Sequence, residues 1–132
     1  MNETTLIQSL KHKARVVALV GASPKTDRDS YRIMAYLQRS GKRVIPVNAR
    51  AAGKEILGEL VVPDLSALPC PVDFVDVFLN TKAASSVVDQ VVELGLPVVW
   101  LQLGVTPIEA AQRAEAAGVG VVMNRCPAIE WR

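Results

Sequence analysis

Five short runs of this chain, residues 15–20, 43–47, 74–79, 98–103 and 119–123, are apolar on nearly every residue rather than on alternate ones. A strand without polar alternation is buried on both faces, which calls for a parallel sheet covered by helices on both sides. The intervening segments have the period to supply those helices. Between Ser30 and Ser40 the residues Tyr31, Met34, Ala35 and Leu37 recur at helical spacing, and Gly41 follows as a terminator. From Lys82 to Leu94, valines 87, 88, 91 and 92 form one stripe, ended by Gly95 and Pro97. Thr106-Pro-Ile-Glu109 reads as a capping box with proline at the first helical position, and Gly118 closes that helix. An amphipathic segment from Thr5 to His12 packs ahead of the first strand. Strand and helix alternate throughout, so the expected fold class is α/β: a doubly wound, mostly parallel sheet with helices on both faces.

The stretch from Ala49 to Pro71 is less regular, with Gly53, Gly58, Pro63, Pro69 and Pro71 and one short edge-strand candidate at residues 60–62. The sheet therefore has five to six strands. Neither a repeat nor a linker interrupts the 132 residues, which read as a single domain, 1–132. A core of that size needs no disulfide or structural metal.

Charge and cysteine usage narrow the function classes. Lys and Arg exceed Asp and Glu by a formal charge of only +2, too little to argue for nucleic acid as a partner. With 2 cysteines, no CxxC pair and 1 histidine, a Cys/His zinc site is excluded. The first fifteen residues are polar and basic, unlike a signal peptide, and no apolar run is long enough for a membrane span. Two reduced thiols in a cytoplasmic protein is the resulting expectation.

Open α/β sheets bind ligands at the carboxyl ends of their strands, where strand order reverses. That places attention on residues 21–31. Gly21 permits a tight turn and close approach of a ligand. Ser23, Lys25, Arg28 and Ser30 bring hydroxyls and cations ahead of a helix N-terminus, which favours an anion. On this loop alone two readings stand: an anion site, or a plain strand-to-helix turn with Ser30 as N-cap. The G-x-G-x-x-G fingerprint is absent, since Ser23 and Thr26 hold its second and third glycine positions. The second strand ends in Asn48 rather than in the carboxylate that takes an NAD ribose, and Arg50 and Lys54 follow. That combination suits a ribose bearing an extra phosphate, as in CoA or NADP.

The motifs Val17-Ala-Leu-Val-Gly-Ala-Ser23, Arg28-Asp-Ser-Tyr31, Arg43-Val-Ile-Pro-Val-Asn48, Ile56-Leu-Gly58, Val72-Asp-Phe-Val-Asp-Val-Phe78, Val99-Trp-Leu-Gln-Leu-Gly104 and Val122-Met-Asn-Arg-Cys126 resemble the small stand-alone CoA-binding proteins. These are single Rossmann-like domains related to the nucleotide-binding domain of the succinyl-CoA synthetase alpha subunit. The resemblance spans about residues 10–131, in order and with similar spacing. It implies coenzyme A (or an acyl-CoA) as ligand, with Gly21, Ala22 and Ser23 facing the diphosphate and Arg28, Ser30 and Tyr31 nearby. Val47 and Asn48 would border the adenosine, Arg50 or Lys54 would meet the 3′-phosphate, and Phe78 would pack on the nucleotide or the pantetheine arm. The sequence departs from the family at Ala49, where proline is usual, at Leu79-Asn80, where a basic pair is frequent, and at Asn124, where an acid is common.

Catalytic groups are scarce. His12 precedes the first strand, and with a single histidine neither a Ser/His/Asp set nor a Cys–His pair can be assembled. Asp76 lies mid-strand, where the simplest role is a buried carboxylate bonded to neighbouring loop amides. Cys126 follows the last strand beside Arg125, a placement that would allow a mixed disulfide with the CoA thiol; a small buried packing residue is the plainer alternative. The expectation is a non-catalytic CoA or acyl-CoA binding module acting as carrier, sensor or partner subunit. The alternatives are an NADP-dependent oxidoreductase and a nucleotide-binding regulatory subunit. Whether a protein partner or a second copy joins it is left open.

Overall fold

The computed structural model describes residues 2–132. Its elements, in chain order, are α1 (Glu3–Lys13), β1 (Val16–Val20), α2 (Asp29–Arg39), β2 (Arg43–Val47), β3 (Glu55–Ile56), β4 (Glu59–Leu60), β5 (Phe74–Val77), α3 (Thr81–Glu93), β6 (Val98–Leu101), α4 (Ile108–Ala116), β7 (Gly120–Met123) and α5 (Pro127–Glu130). Single 3-10 turns occupy Ala49–Ala51 and Leu65–Ala67.

Five strands pair in the order β2-β1-β5-β6-β7, every pair parallel. The chain leaves β1 outward to β2, returns past β1 to β5, and then runs the other way through β6 and β7. The reversal lies between β1 and β5, so their carboxyl ends open a crevice between the loops that follow.

Side chains along each strand divide between two cores. Val17, Leu19, Val44, Phe74, Trp100 and Val122 pack with α1, α2 and Trp131. Ala18, Val20, Ile45, Val75, Val77, Val99 and Leu101 pack with α3 and α4. Both faces are therefore dry, which is why the strands carry no alternation. This is the Rossmann-like α/β architecture expected from the sequence.

Three local expectations need correction. The residues at 60–62 do not form a sixth strand of the main sheet. Leu60 belongs to a two-residue antiparallel hairpin with β3, and Val62 makes a single parallel bridge to Val47 at the sheet edge. Thr106-Pro-Ile-Glu109 does not form a capping box. The helix starts at Ile108 with Pro107 as N-cap and without a side-chain cap, because the Thr106 N–H is bound at 3.1 Å to Thr81 Oγ1 of α3. Ser30 is not the N-cap of α2; Arg28 is, and Ser30 is buried in the first turn.

Candidate functional site

The turn after β1 is locked by the protein's own backbone. Gly21 has φ +86°, and a Cβ there would come within 2.3 Å of the Phe78 carbonyl oxygen. Its lack of a side chain is thus required by the loop after β5, not by a ligand's approach, which corrects the reading of this glycine. The Gly21 and Ala22 N–H groups both donate to Val47 O, at 3.0 and 3.4 Å. Asn48 joins the same two loops: its Nδ2 donates to Ala22 O at 2.8 Å and its Oδ1 accepts from Arg50 N at 2.9 Å. Both ends of the Asn48 amide are therefore occupied within the protein.

Beyond this lock lies a basic cavity of about 520 Å³, walled by Gly21, Ala22, Ser23, Lys25, Arg28, Asp29, Ser30, Asn48, Arg50 and Phe78. Ser23 Oγ accepts from Lys25 N at 3.1 Å, tightening the loop. The N–H groups of Ser23, Asp29 and Ser30 have no acceptor among the described residues. Lys25, Arg28 and Arg50 form no ion pair among them either. Three free cations and three free N–H groups, two of them opening a helix, are the donors that an anion would need.

Two further cavities adjoin it. One, of about 240 Å³, lies between the ends of β1 and β2 and helix α3; Val20, Val47, Pro63, Leu65, Leu79 and Val87 make it largely apolar, with Asp64 and Gln90 at its polar edge. It shares Gly21 and Asn48 with the basic cavity. The Asp64 carboxyl is held below its ordinary range by hydrogen bonds from the Ser66 hydroxyl and N–H. The other, of about 390 Å³, lies beyond Phe78 and is walled by Ile33, Leu79, Leu103, Val105, Asn80, Gln102 and Cys126, with the Asp29–Arg32 ion pair at its rim. Phe78 and Asp29 belong to both this and the basic cavity, and Leu79 to both flanking ones. The three form one bent groove along the carboxyl edge.

Most of the residues singled out in sequence meet here, but two do not. Lys54 lies outside the groove, in the turn after the Ala49–Ala51 helix, where its carbonyl accepts from Val61 N at 2.8 Å. Tyr31 packs against the α1/α2 core rather than lining a cavity. Asp76 is fully buried, and its partner is the Gln102 side chain rather than loop amides; the carboxylate that takes loop N–H groups is Asp73, from Arg15 at 2.7 Å and Val16 at 2.9 Å. Arg125 faces Glu3 and Glu130, at 3.2 and 3.8 Å, so its charge is engaged away from the Cys126 thiol. Asn80 caps α3 by accepting from Ala83 N at 2.8 Å. The far wall, with Ile33, Gln102, Leu103 and Val105, escaped the sequence reading because those residues look like ordinary ends of apolar elements. Only Gln102, a polar residue at the tail of an apolar strand, carried a signal.

Among the described residues no helix is long and apolar enough to cross a membrane, and no group of three or more His, Cys, Asp or Glu is placed to hold a metal ion.

Comparison with known proteins agrees with the fold. The uncharacterized protein YneT of Bacillus subtilis (strain 168) is 32% identical over 120 residues, 91% of this chain and 87% of that one. The solved structure of cell-free ID.343 from Thermus thermophilus is 35% identical with a TM-score of 0.92, covering 99% of this chain and 97% of that one. A dinucleotide forming acetyl-coenzyme A synthetase 1 from Ca. Korarchaeum cryptofilum shares the fold at 22% identity and a TM-score of 0.74, with 89% of this chain matching 28% of the larger protein. The family model described as CoA binding domain matches residues 15–132, from the first strand through the groove to the last residue, and the chain belongs to that CoA-binding family.

Proposed function

We propose that the chain binds coenzyme A or an acyl-CoA along the bent groove and performs no chemistry on it, serving as a carrier, a sensor or a partner subunit. The observation that carries this reading is the basic cavity, with unpaired Lys25, Arg28 and Arg50 around the free N–H groups of Ser23, Asp29 and Ser30. A diphosphate fits that chemistry. The narrower pocket beside Val47 and Asn48 suits an adenine ring, with Arg50 turned to the ribose 3′-phosphate. Lys54, outside the groove, is dropped from that role. The pantetheine arm crosses Phe78 into the cavity walled by Gln102 and Cys126. The non-catalytic part of the reading is supported by His12, which lies exposed in the last turn of α1, ahead of β1 and so at the opposite edge of the sheet.

Calorimetric titration with CoA, 3′-dephospho-CoA and NADP tests the assignment. A charge-assisted phosphate contact contributes roughly 1.5–3 kcal/mol, about ten- to a hundredfold in affinity. Loss of the 3′-phosphate should weaken binding by that order, and Arg50→Ala should erase the difference between the two CoA forms. NADP binding with no response to CoA would replace this reading by the NADP-dependent one.

A further inference from the structure

The wall of the arm cavity includes Gln102, and behind it lies a buried carboxyl partner that packing does not require. Asp76 sits in the middle of β5, in register with Leu19 on β1 and Trp100 on β6, and is fully buried on the α1/α2 face. A carboxyl group in that layer is costly unless hydrogen-bonded. Its Oδ1 accepts from Gln102 Nε2 at 2.5 Å, while its Oδ2 is buried with no partner among the described residues. Burial pushes the Asp76 pKa up to about 7, with the Gln102 bond opposing the shift.

A side-chain amide has two ends, and once Asp76 is ionised its carboxylate can only accept, so it takes the Nε2 end. Because Nε2 is drawn to Asp76, Oε1 is turned the other way. Gln102 is only 6% exposed, yet it lines the arm cavity. No donor among the described residues reaches its Oε1, and that atom is not sealed inside the protein. Of the other side-chain oxygens on this wall, Asn80 Oδ1 caps α3, and the Asp29 carboxylate lies at the exposed rim, where Oδ1 pairs with Arg32, so Gln102 Oε1 is the acceptor in the buried part. The remaining surface there is mainly Ile33, Phe78, Leu79, Leu103 and Val105. A ligand amide N–H entering this cavity loses water and needs an acceptor.

We infer that Gln102 is that acceptor, binding an amide N–H of the pantetheine arm through Oε1, and that Asp76 is a positioning residue that keeps the Gln102 amide in the accepting orientation. This rests on the CoA reading above. It makes the cavity selective for an amide-bearing arm rather than for a merely apolar tail.

The experiment is a titration of wild type, Gln102→Met, Asp76→Leu and Asp76→Asn with CoA and with adenosine 3′,5′-bisphosphate, which has the nucleotide end and lacks the arm. Gln102→Met removes the acceptor and keeps the shape, and Asp76→Leu frees the amide to turn. Each should weaken CoA roughly 3- to 10-fold, the worth of one neutral hydrogen bond, with bisphosphate affinity unchanged. Asp76→Asn retains an Oδ1 that accepts from Nε2 and should keep CoA affinity within about twofold. Unchanged CoA affinity in Gln102→Met, or equal losses for both ligands, overturns the inference. Wild type that binds the bisphosphate but gains nothing from the arm of CoA also overturns it, while leaving the nucleotide site standing. Wild type that binds neither ligand removes the CoA reading itself. Gln102→Met strips Asp76 of its one hydrogen bond, so the double variant Gln102→Met/Asp76→Leu, which removes both polar groups together, should show the same selective loss for CoA; all titrations are run at about pH 8.5, where Asp76 is ionised.

Discussion

In the sequence Gly21 reads as a residue of the ligand loop and Asp76 as a buried carboxylate, and the structure gives each a defined place inside the protein. Gly21 stands where β1 hands over to the binding loop, with the Phe78 carbonyl occupying the space of a side chain. Gly21→Ala combines left-handed backbone strain with a backbone clash, and should cost roughly 2–4 kcal/mol in chemical denaturation. Asp76 has the opposite signature, a titratable group whose ordinary carboxyl pKa of 3.8 rises to about 7 through burial. Between these values the folded protein holds a proton that the unfolded chain has released. Stability from this group is therefore full below about pH 4, falls as pH rises toward 7, and levels off above it. Asp76→Asn lacks the titration and should gain roughly 2–4 kcal/mol relative to wild type between pH 4 and pH 8. Urea midpoints of the two proteins across that range check it, and parallel pH curves would contradict it. The identity of Asp76 as a mid-strand acid was legible in sequence. Its partner was not, because Gln102 is adjacent only once β5 and β6 are paired.

Among the elements, the β-strands were the most legible, since β-branched runs bounded by Gly, Pro and Asn have few other uses. Helix termini were less so. Thr106 resembles a cap in isolation, but Thr81 on α3 captures its N–H, a competition between elements that no local pattern reveals. Asn80 shows the converse. Set against the family it looked like a lost basic residue, whereas its Oδ1 caps α3 at Ala83 N. Asn80→Ala should destabilise the protein by about 0.5–2 kcal/mol, and Asn80→Asp by much less, as read from thermal unfolding. Lys42, unremarked in sequence, closes the other end of α1. Its buried Nζ donates to Ala14 O at 2.7 Å and Lys11 O at 3.1 Å, and lies 5.3 Å from the Trp131 ring centroid. Burial, and after it the Arg15 charge, lowers its pKa.

At the scale of the whole molecule, the chain ends are brought together on one face. Trp131 packs edge-on against Trp100 and Phe74, with centroids 5.4 and 6.3 Å away, and its Nε1 donates to Ile7 O at 2.9 Å. That ties α1 and the last residues to the centre of the sheet. Trp131→Ala should cost about 3–5 kcal/mol, measurable by urea denaturation, even though the residue lies outside the groove. The groove itself is a product of topology: the connections leaving the neighbouring strands β1 and β5 run to opposite faces of the sheet, and the loops after β1, β2 and β5 supply much of its wall. The order of the motifs made the basic loop legible from sequence. The arm cavity was not, because its walls come from α2, the loops after β5 and β6 and the turn before α5, which only the folded sheet unites. In the CoA reading, the phosphates of the ligand lie over the turn from β1 to α2. Amide hydrogen exchange with and without saturating CoA, resolved by residue, tests it most directly. The N–H groups of Ser23, Asp29 and Ser30, without acceptors among the described residues, should gain protection when CoA binds; protection confined to other loops, with these three unchanged, would contradict it.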